Sequence, residues 1–413
     1  MEAHLFGELI PVEKARRLVL AAAPPVRRVE MVPVDGAFGR VAARSVRAPA
    51  PVPGFARATW DGYALRSRDV RDARPARPRK LRVVGEVYAE QTYRGVVGPG
   101  EAVAIATGGA VPAGADAVEI FEEVDREGGT VALRSPVPRG ARIAPAGDDL
   151  AKGTVLVRRG EPLAPATLGA LAACGFANVA VFARPVVAIV PNGNELRPPA
   201  VRLRPGEIFE SNNAALAAIV TACGGQPRPR PPVEDDPSAL ERALRDAARA
   251  SDLVLATGGS SVGEHDHVGR LFPRLGRPLF HGIAVRPGKP TLATRAGRTL
   301  LIGLPGHPTS CLLNMHWLVL PVLRRMAHRP GPGWSVRTAL LEGSEVRAAP
   351  GLATVVPLRV NGRRVSSTFR GSSAIRSLHA AGAFTILPPG RTVLRPGARL
   401  RVCVLDPPLG PSR

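Results

Sequence analysis

The stretch that decides the fold reads Asp252-Leu-Val-Leu-Ala-Thr-Gly-Gly-Ser-Ser-Val-Gly-Glu-His-Asp-His267. Residues 253–256 form an apolar run of the length of a buried strand. Residues 257–263 then combine three glycines with three hydroxyl side chains, and glycine lets backbone N–H groups approach a ligand closely. A helix over 268–275 would add its positive N-terminal end at the same place. The pattern is typical of a phosphate-binding turn, and equally of an ordinary turn between a strand and a helix.

Two carboxylates, Glu264 and Asp266, stand beside this turn. Paired hard oxygen ligands next to a phosphate-binding turn are typical of a Mg²⁺ site. We therefore predict that both carboxylates are metal ligands. The alternative is a solvated acidic start to the following helix.

Composition bounds the number of domains and the cellular setting. A chain of 413 residues is too long for one hydrophobic core, so we expect roughly two to four domains. Its four cysteines are widely spaced without a Cys-x-x-Cys pair, which indicates a reducing compartment rather than a zinc or disulfide framework. The N-terminus lacks a signal-peptide pattern, and the charge-free segment 162–183 is interrupted by Pro165 and Gly175. We expect a cytoplasmic protein without a membrane span.

The formal net charge is +22, from 56 basic and 34 acidic side chains. A charge of this size is typical of nucleic-acid-binding proteins. Only four of the basic residues are lysines, however, and the joint abundance of Arg, Ala, Gly and Pro indicates a GC-rich coding bias. Aromatic residues make up 4% of the chain, so stacking surfaces for bases are scarce. We predict no nucleic-acid partner, whereas a small anionic substrate fits the same electrostatic field.

Strand and helix patterns alternate from Pro185 onward, as in a doubly wound α/β domain. The apolar run 186–190 predicts a strand, Ser211 or Asn212 is expected to cap a helix, and Pro308 stands where a long final helix begins. Such domains bind ligands at the carboxyl ends of their strands. The polar loops predicted at or beside that edge are 192–195, 257–266, 287–290 and 304–308.

The remainder of the chain is predicted to be mostly β-structure, and residues 81–106 alternate like antiparallel strands. The last 80 or so residues alternate as strands with Gly and Pro turns, which predicts a small C-terminal β-barrel or β-sandwich. The predicted domains are a helical linker domain (1–26 and 146–180), a β-rich lobe (27–145), the α/β domain (181–330) and a C-terminal β domain (331–413).

Lys289 is the most informative single residue of these loops. In a chain that otherwise uses arginine, a lysine within Pro-Gly-Lys-Pro indicates that a compact ammonium group is needed there. Turn amides, Lys289, Arg286 and two or three carboxylates would together hold a phosphorylated, metal-bound ligand. The residues alone therefore predict metal-assisted transfer or hydrolysis on an anionic substrate, without naming that substrate.

Six motifs in order along nearly the whole chain resemble one known family. They are Trp60-Asp-Gly-Tyr-Ala64, residues 106–118, residues 204–212, residues 257–266, Val285-Arg-Pro-Gly-Lys-Pro290 and Leu304-Pro-Gly-His-Pro308. Their order and spacing resemble the molybdopterin molybdenumtransferase family, MoeA, which also occurs as the E domain of gephyrin. The resemblance implies that the α/β domain binds molybdopterin, within an elongated four-domain subunit of a homodimer whose cleft is shared between subunits.

The reaction implied by the resemblance takes adenylylated molybdopterin and molybdate, inserts the metal at the dithiolene and releases AMP. Mg²⁺ is the implied helper ion, and a molybdopterin adenylyltransferase is a possible protein partner. The resemblance implies catalytic roles for Asp61, Asp149, Lys289 and Asp266, and metal ligation by Glu264 and Asp266. The implied cofactor-binding residues are Thr107, Glu195, Asp235, Gly258, Gly259, Ser260, Ser261, Gly263, Arg286, Pro305, Gly306, Ser310 and Ser372.

The chain also departs from the usual family pattern. Asn194 stands where an aspartate is usual, Arg286 where a lysine is usual, and Thr354 near an expected arginine. The departures at Asn194 and Thr354 motivate an alternative, a divergent molybdopterin carrier or scaffold with weak or no turnover. A molybdopterin adenylyltransferase is a third hypothesis, which the long N-terminal lobes and the C-terminal β domain oppose.

Overall fold

The computed structural model describes residues 8–258, 267–390 and 393–406. Its α-helices are α1 Val12–Ala22, α2 Pro165–Ala173, α3 Asn212–Ala222, α4 Pro237–Ala250, α5 His267–Leu275, α6 Pro308–Asn314, α7 Leu320–Met326 and α8 Arg376–His379. The first twelve strands are β1 Val29–Pro33, β2 Val46–Arg47, β3 Arg57–Ala58, β4 Gly62–Leu65, β5 Arg79–Val87, β6 Glu101–Ile105, β7 Ala117–Ile120, β8 Val124–Glu127, β9 Thr130–Leu133, β10 Ile143–Ala144, β11 Val155–Val157 and β12 Asn178–Phe182. The others are β13 Val186–Pro191, β14 Leu196–Arg197, β15 Ile208–Phe209, β16 Gln226–Pro229, β17 Leu253–Thr257, β18 Arg277–His281, β19 Val285–Arg286, β20 Leu292–Ala296, β21 Thr299–Leu304, β22 Trp334–Leu341, β23 Val346–Arg347, β24 Ala353–Asn361, β25 Arg364–Ser367, β26 Ala383–Leu387, β27 Val393–Leu394 and β28 Arg399–Leu405.

The chain divides into two compact units. The first unit comprises Met1–Glu30, Gly39–Ala43 and Ala180–Arg413, and the second comprises Met31–Phe38 and Arg44–Val179. Among the described residues, every helix falls short of the length and apolar content that crossing a bilayer requires.

A six-stranded mixed sheet, in the order β16-β13-β17-β21-β20-β18, forms the centre of the first unit. The four strands from β16 to β21 are parallel, and β20 and β18 are antiparallel to their neighbours. Alternate residues of β17 belong to different apolar clusters: Leu253 and Leu255 pack with α1 and α3, whereas Val254 and Ala256 pack with α4 and α5. Both faces of the sheet are therefore covered, which explains why its strands are continuous apolar runs.

The helices begin where the sequence offers a cap or a proline. Asp236 caps α4, because its carboxylate accepts the N–H of Ala239 at 2.6 Å, and the helix buries Leu240 and Leu244 one turn apart. We expected the side chain of Ser211 or Asn212 to cap α3, and this prediction is wrong because neither side chain accepts a hydrogen bond there. The carboxylate of Glu210 accepts the first N–H groups instead.

The final helix of the α/β region is interrupted. Between α6 and α7 the chain forms a π-helix over Met315–Val319, and Pro321 follows as the second residue of α7. Proline lacks an N–H and its ring displaces the carbonyl four residues earlier, so the wider π turn accommodates it. All five residues of this turn are buried, and it packs in the largest apolar cluster.

The strands after residue 331 pair in a continuous series. β24 pairs with β25, β25 with β22, β22 with β28, β28 with β26, and β26 again with β24. The side chains of Leu358, Val365 and Val402 are buried among these strands. β19 from the preceding segment joins the same sheet by pairing parallel to β24.

A six-stranded sheet in the order β7-β4-β6-β5-β9-β8 organises the second unit. The expectation of antiparallel strands over residues 81–106 is wrong for β5 and β6, which are parallel. A short turn would have forced an antiparallel pair, but the connection over 88–100 is long enough for the chain to return to the same end of the sheet.

Residues 146–180, predicted to be helical, contain one α-helix, α2, of nine residues. It stands between the strands β11 and β12, and glycines at 153, 160 and 175 adopt positive φ in the intervening turns. The helix α1, expected in the same domain, is part of the first unit and contacts α7. The mixed α/β architecture is thus observed, while the division into four domains stays a prediction.

Candidate functional site

The loops that follow three parallel strands meet at one edge of the first unit's central sheet. β13 ends at Pro191, β17 at Thr257 and β21 at Leu304, and a cavity of about 660 Å³ opens beyond them. Because parallel strands present their carboxyl ends at the same edge, loops distant in sequence become neighbours here. Five of the predicted binding residues line this cavity: Glu195, Asp235, Gly258, Pro305 and Gly306.

Asp235 is held in a defined position by the loop of residues 192–195. The side-chain amide of Asn192 donates to Asp235 Oδ1 at 2.8 Å, and the backbone N–H of Asn194 donates to Asp235 Oδ2 at 3.2 Å. In return, the N–H of Asp235 donates to Asn194 Oδ1 at 3.0 Å. The reciprocal bonds show what Asn194 does: it supplies an acceptor that orients Asp235, which an aspartate would supply equally well.

Close backbone packing explains two glycines of the cavity wall. Gly258 has φ +89°, and a Cβ at this position would lie 2.1 Å from the carbonyl oxygen of Asn192. Gly306 stands against Gly258, so that a Cβ at 306 would lie 3.2 Å from the Cα of Gly258. The ends of the three strands can meet only because no side chain occupies position 258.

The start of α3 forms another wall of the cavity. The Glu210 carboxylate accepts the N–H of Asn212 at 2.8 Å and that of Asn213 at 3.0 Å. Glu210 is buried, and desolvation raises the pKa of its carboxyl above the ordinary value although these N–H groups oppose the shift. The side chain of Asn212 donates to the carbonyl of Gly306 at 2.9 Å, which fixes α3 to the loop after β21.

Asn192 and Asn212 are residues of the cavity for which no binding role was predicted from the sequence. Both are buried, and each retains a side-chain carbonyl oxygen with no hydrogen-bond partner. A buried unsatisfied acceptor costs about 1–3 kcal/mol. Asn192 belongs to the predicted polar loop 192–195 and Asn212 to the motif 204–212, but a sequence does not reveal which amide is buried.

A buried amide fixes the turn that carries Lys289. The side chain of Asn314, in α6, donates to the carbonyl of Gly288 at 3.2 Å and to Thr291 Oγ1 at 2.6 Å. Its oxygen accepts the indole N–H of Trp317 at 2.7 Å. A Cβ at Gly288 would lie 2.2 Å from the Asn314 amide nitrogen, so the turn packs directly on this side chain. Lys289 is half-buried, and its neighbour Pro290 lines the cavity.

Arg286, predicted to bind the same ligand as Lys289, lines a different cavity of about 430 Å³. The residue belongs to β19, whose pairing with β24 places it opposite Thr354. Thr354 is buried, and its hydroxyl accepts the N–H of Ala349 at 2.9 Å. The pairing of β19 with the C-terminal strands therefore directs Arg286 away from the first cavity's lining.

Ser372 and Ser310 occupy different environments near the mouth of the first cavity. The Ser372 hydroxyl lies 3.2 Å from His307 Nδ1, and its carbonyl accepts the N–H of Thr309 at 3.0 Å. His307 and Ser373 line the cavity. Ser310 follows within α6 and is 3% exposed, so its hydroxyl faces protein rather than solvent.

In the second unit the structure brings two of the predicted residues together. The backbone N–H and the hydroxyl of Thr107 both donate to Asp61 Oδ1, at 2.6 and 2.8 Å. These two bonds lower the pKa of the Asp61 carboxyl below its ordinary value, the backbone bond having the larger effect. Asp61 is exposed and remains ionised at neutral pH.

Asp149 lies in a separate exposed loop of the second unit. Its backbone N–H and that of Leu150 donate to the carbonyl of Val52, at 3.3 and 3.0 Å, and Gly147 donates to Pro53. These bonds hold the loop against residues 52–53, so the position of Asp149 is set by backbone pairing.

Several predicted residues lie outside the described part of the chain. They are Gly259, Ser260, Ser261, Gly263, Glu264 and Asp266. Within residues 8–258, 267–390 and 393–406, no group of three or more His, Cys, Asp and Glu side chains is arranged to hold a metal ion. The proposed metal ligands therefore stay predictions.

Comparison with known proteins identifies the family. Residues 10–175 match the family model described as MoeA N-terminal region (domain I and II), and residues 188–325 match that described as probable molybdopterin binding domain. A molybdopterin molybdenumtransferase of Bacillus subtilis is 30% identical over 405 residues, which are 96% of this chain and 94% of the relative. The chain belongs to the molybdopterin molybdenumtransferase (MoeA) family. The resemblance drawn from the six motifs is thereby confirmed.

Other relatives support the same membership. Molybdopterin molybdenumtransferase 2 of Mycobacterium tuberculosis is 34% identical over 319 residues, which are 76% of this chain and 79% of the relative. A molybdopterin biosynthesis MoeA protein from Pyrococcus horikoshii, known from its crystal structure, is 34% identical in sequence. Its structure matches this one with a TM-score of 0.86, over 96% of this chain and 99% of that one. The similarity to this solved structure therefore extends over nearly the whole chain.

Proposed function

We propose that this protein is a molybdopterin molybdenumtransferase, which inserts molybdate into adenylylated molybdopterin and releases AMP during molybdenum cofactor biosynthesis. The observation that carries the proposal is the cavity at the carboxyl ends of β13, β17 and β21, which unites Glu195, Asp235, Gly258, Pro305 and Gly306 from loops far apart in sequence. Its volume of about 660 Å³ lies within the ~300–1,000 Å³ of small-molecule sites.

The polar groups of this cavity suit a ligand rich in N–H donors. Glu195 and Asp235 are hydrogen-bond acceptors at its surface, and the buried carbonyl oxygens of Asn192 and Asn212 lack donors. A pterin ring carries amino and ring N–H groups, which would pair with such acceptors after small side-chain rotations. Binding would then recover part of the cost of leaving these oxygens unsatisfied.

The second unit contains a carboxylate, that of Asp61, whose pKa is lowered by its hydrogen bonds. A carboxylate whose pKa is lowered is a weak base but a good partner for a cation. We infer that Asp61, kept ionised by Thr107, positions a cationic group rather than accepting a proton. Asp149 and Lys289 remain the other proposed catalytic groups, and Arg286, Ser310 and Ser372 proposed binding groups.

The proposed reaction includes Mg²⁺ as a helper ion. The carboxylates of Glu195 and Asp235 line the cavity and are hard oxygen donors of the kind that Mg²⁺ prefers. They would add to Glu264 and Asp266 in holding the ion beside the phosphate groups. The ion would supply charge neutralisation on the phosphate that leaves with AMP.

The family membership also motivates three proposals about the setting of the protein. We propose a homodimer, receipt of the adenylylated substrate from a molybdopterin adenylyltransferase, and a cytoplasmic location in which the four cysteines stay reduced. The four-domain division and a small barrel formed by the C-terminal strands belong to the same proposal, and the cyclic pairing of β24, β25, β22, β28 and β26 supports the barrel.

Separate measurements of binding and turnover test the assignment of the carboxylates. Asp235→Asn should bind adenylylated molybdopterin within about threefold of the native affinity when Mg²⁺ is absent, because the amide keeps one acceptor, but with Mg²⁺ it should release AMP about 100-fold more slowly, because it loses the charge that would hold the ion. Glu241→Gln, at a half-buried residue of α4 paired with Arg245, serves as a matched control and should leave both quantities unchanged. Native AMP release by Asp235→Asn would remove the cavity from the proposed reaction.

The carrier alternative rested on the departures at Asn194 and Thr354. Asn194 retains the bonds that orient Asp235, and Thr354 is engaged in the packing of β24. Neither contact favours a carrier over a transferase, so the transferase is the function we propose.

A further inference from the structure

A second cavity lies at the opposite edge of the central sheet, at the amino ends of the strands. It is lined by Val186 at the start of β13, Asp252 just before β17 and Thr299 at the start of β21. β17 is five residues long, so this edge is about 16 Å from the carboxyl ends. The cavity measures about 620 Å³ and is distinct from the site described above.

Arginines dominate the lining of this cavity. Arg27, Arg28, Arg249, Arg295 and Arg298 all line it, whereas Asp252 is the one carboxylate among the described residues that do so. In the part of the chain that the structure describes, Arg27, Arg295 and Arg298 take part in no ion pair with a carboxylate. The cluster therefore carries a large excess of positive charge.

The single carboxylate of the lining is already engaged. Arg28 donates to both oxygens of Asp252, at 2.8 and 2.7 Å, and the backbone N–H of Val186 donates to the same carboxylate at 2.8 Å. Arg249 is paired outside the cavity, with Asp246 at 3.1 Å. Among the described residues Arg295 is in no ion pair, and Arg298 acts on Asp252 only as a more distant charge that lowers the pKa of this carboxyl.

The surroundings of Arg295 disfavour its charged form. Burial and the neighbouring charge of Arg298 both lower the pKa of the Arg295 guanidinium. Its Nε donates to the carbonyl of Gly297 at 2.8 Å, which fixes the direction of the side chain. Like charges held together by the fold attract an anion, and guanidinium groups bind phosphate through paired N–H donors.

The rest of the lining indicates more than a simple ion. Pro24, Pro25, Val26 and Met326 form an apolar wall, and the cavity is far larger than inorganic phosphate requires. Ser251 also lines it, and its hydroxyl oxygen is buried without a hydrogen-bond partner. These features suit a molecule with both phosphate groups and an organic moiety.

We propose that this cavity is a binding site for an organic phosphate of nucleotide size. The phosphates lie between Arg295, Arg298 and Arg27, and the organic moiety packs on the proline wall. A bound ligand bridges the segment after α1 to the turn between β20 and β21 and stabilises both.

Calorimetric titration of the full-length protein with ATP as the probe tests the site. Removing the charges of Arg295 and Arg298 in the double variant R295Q/R298Q should weaken ATP binding at least about tenfold, since the variant loses the charge-assisted hydrogen bonds of two guanidinium groups to the phosphates. The double variant R363Q/R399Q removes the same charge from two exposed positions, the turn between β24 and β25 and the start of β28, and should stay within twofold of the native protein. Titrations at 150 mM salt suppress general attraction to the basic surface.

Amide hydrogen exchange locates the bound probe, because ATP can also enter the cavity at the carboxyl ends. The native protein with ATP should show added protection over residues 23–28 and 295–299, and R295Q/R298Q should lose it. Equal weakening in both double variants, or protection confined to the loops at 192–195 and 304–308, would overturn the proposal. Binding of inorganic phosphate as tight as that of ATP would refute the organic part of it.

Discussion

Replacing Asn314 by alanine should destabilise the first unit by about 3 kcal/mol and weaken the turn that carries Lys289. The side chain is fully buried and makes three hydrogen bonds, to Gly288, Thr291 and Trp317. The variant leaves the indole N–H of Trp317 buried without an acceptor, at about 1–3 kcal/mol. Thr291 and Gly288 keep their own bond at 2.8 Å, so losing the amide donor costs less there, about 1 kcal/mol.

Urea denaturation followed by tryptophan emission measures this loss, since Trp317 and Trp334 both belong to the first unit. The matched control is Trp317→Phe, which keeps most of the ring volume and removes the donor. In that background the alanine substitution should cost about 1–3 kcal/mol less than in the native protein, because no indole N–H is stranded.

Two results would refute this reasoning. A loss below about 1 kcal/mol for Asn314→Ala would mean that the network contributes no more than a typical single hydrogen bond. Strict additivity of the two substitutions would mean that Trp317 and Asn314 are not coupled. The turnover of the folded Asn314→Ala variant should also fall, because Gly288 packs directly on the lost side chain.

Three further predictions concern pH and backbone geometry. Burial lowers the pKa of His316 to about 4. Between pH 6.5 and pH 4 the unfolded chain binds this proton more readily than the folded protein, so the free energy of unfolding should fall by about 3 kcal/mol over that range. In His316→Phe, unfolding titrations at these two pH values should show a correspondingly smaller difference. Thr107→Val should raise the pKa of Asp61 and shift the acidic limb of the turnover profile to higher pH, whereas Thr107→Ser should not, because it keeps the hydroxyl donor. Gly258→Ala should lower the free energy of unfolding by at least about 2 kcal/mol, since its Cβ would overlap a carbonyl oxygen. The control Gly297→Ala, also at positive φ but with open space around it, should cost about 1 kcal/mol. Equal losses in chemical denaturation would contradict the packing argument.

Local features of the fold were predictable because their causes are local. The apolar run before Thr257 forms β17, and the proline at 237 begins α4 where Asp236 can cap it. The parallel pairing of β5 and β6 was not predictable in this way, because it depends on the path of a long connection. Glu210 likewise replaced the expected cap because a buried carboxylate happens to reach the same N–H groups.

In the candidate site, too, some residues could be predicted from the sequence and others could not. Glu195 and Gly258 lie in loops that were predicted at the strand ends of the parallel sheet, whereas Asp235 was implied only by the family resemblance. The buried amide of Asn192 and the network of Asn314 could not be chosen, because burial and partners arise from contacts between distant segments. Arg286 was predicted to bind the same ligand as Lys289; it lines another cavity because its strand pairs with β24, and its role stays a prediction.

The most direct test of the proposed function is AMP release by the purified protein supplied with adenylylated molybdopterin, molybdate and Mg²⁺. We predict release that requires molybdate and falls sharply in Asp61→Asn, whose side chain keeps the acceptor for Thr107 but loses the charge. Tight binding of the adenylylated substrate without AMP release would contradict the transferase and would support a carrier instead.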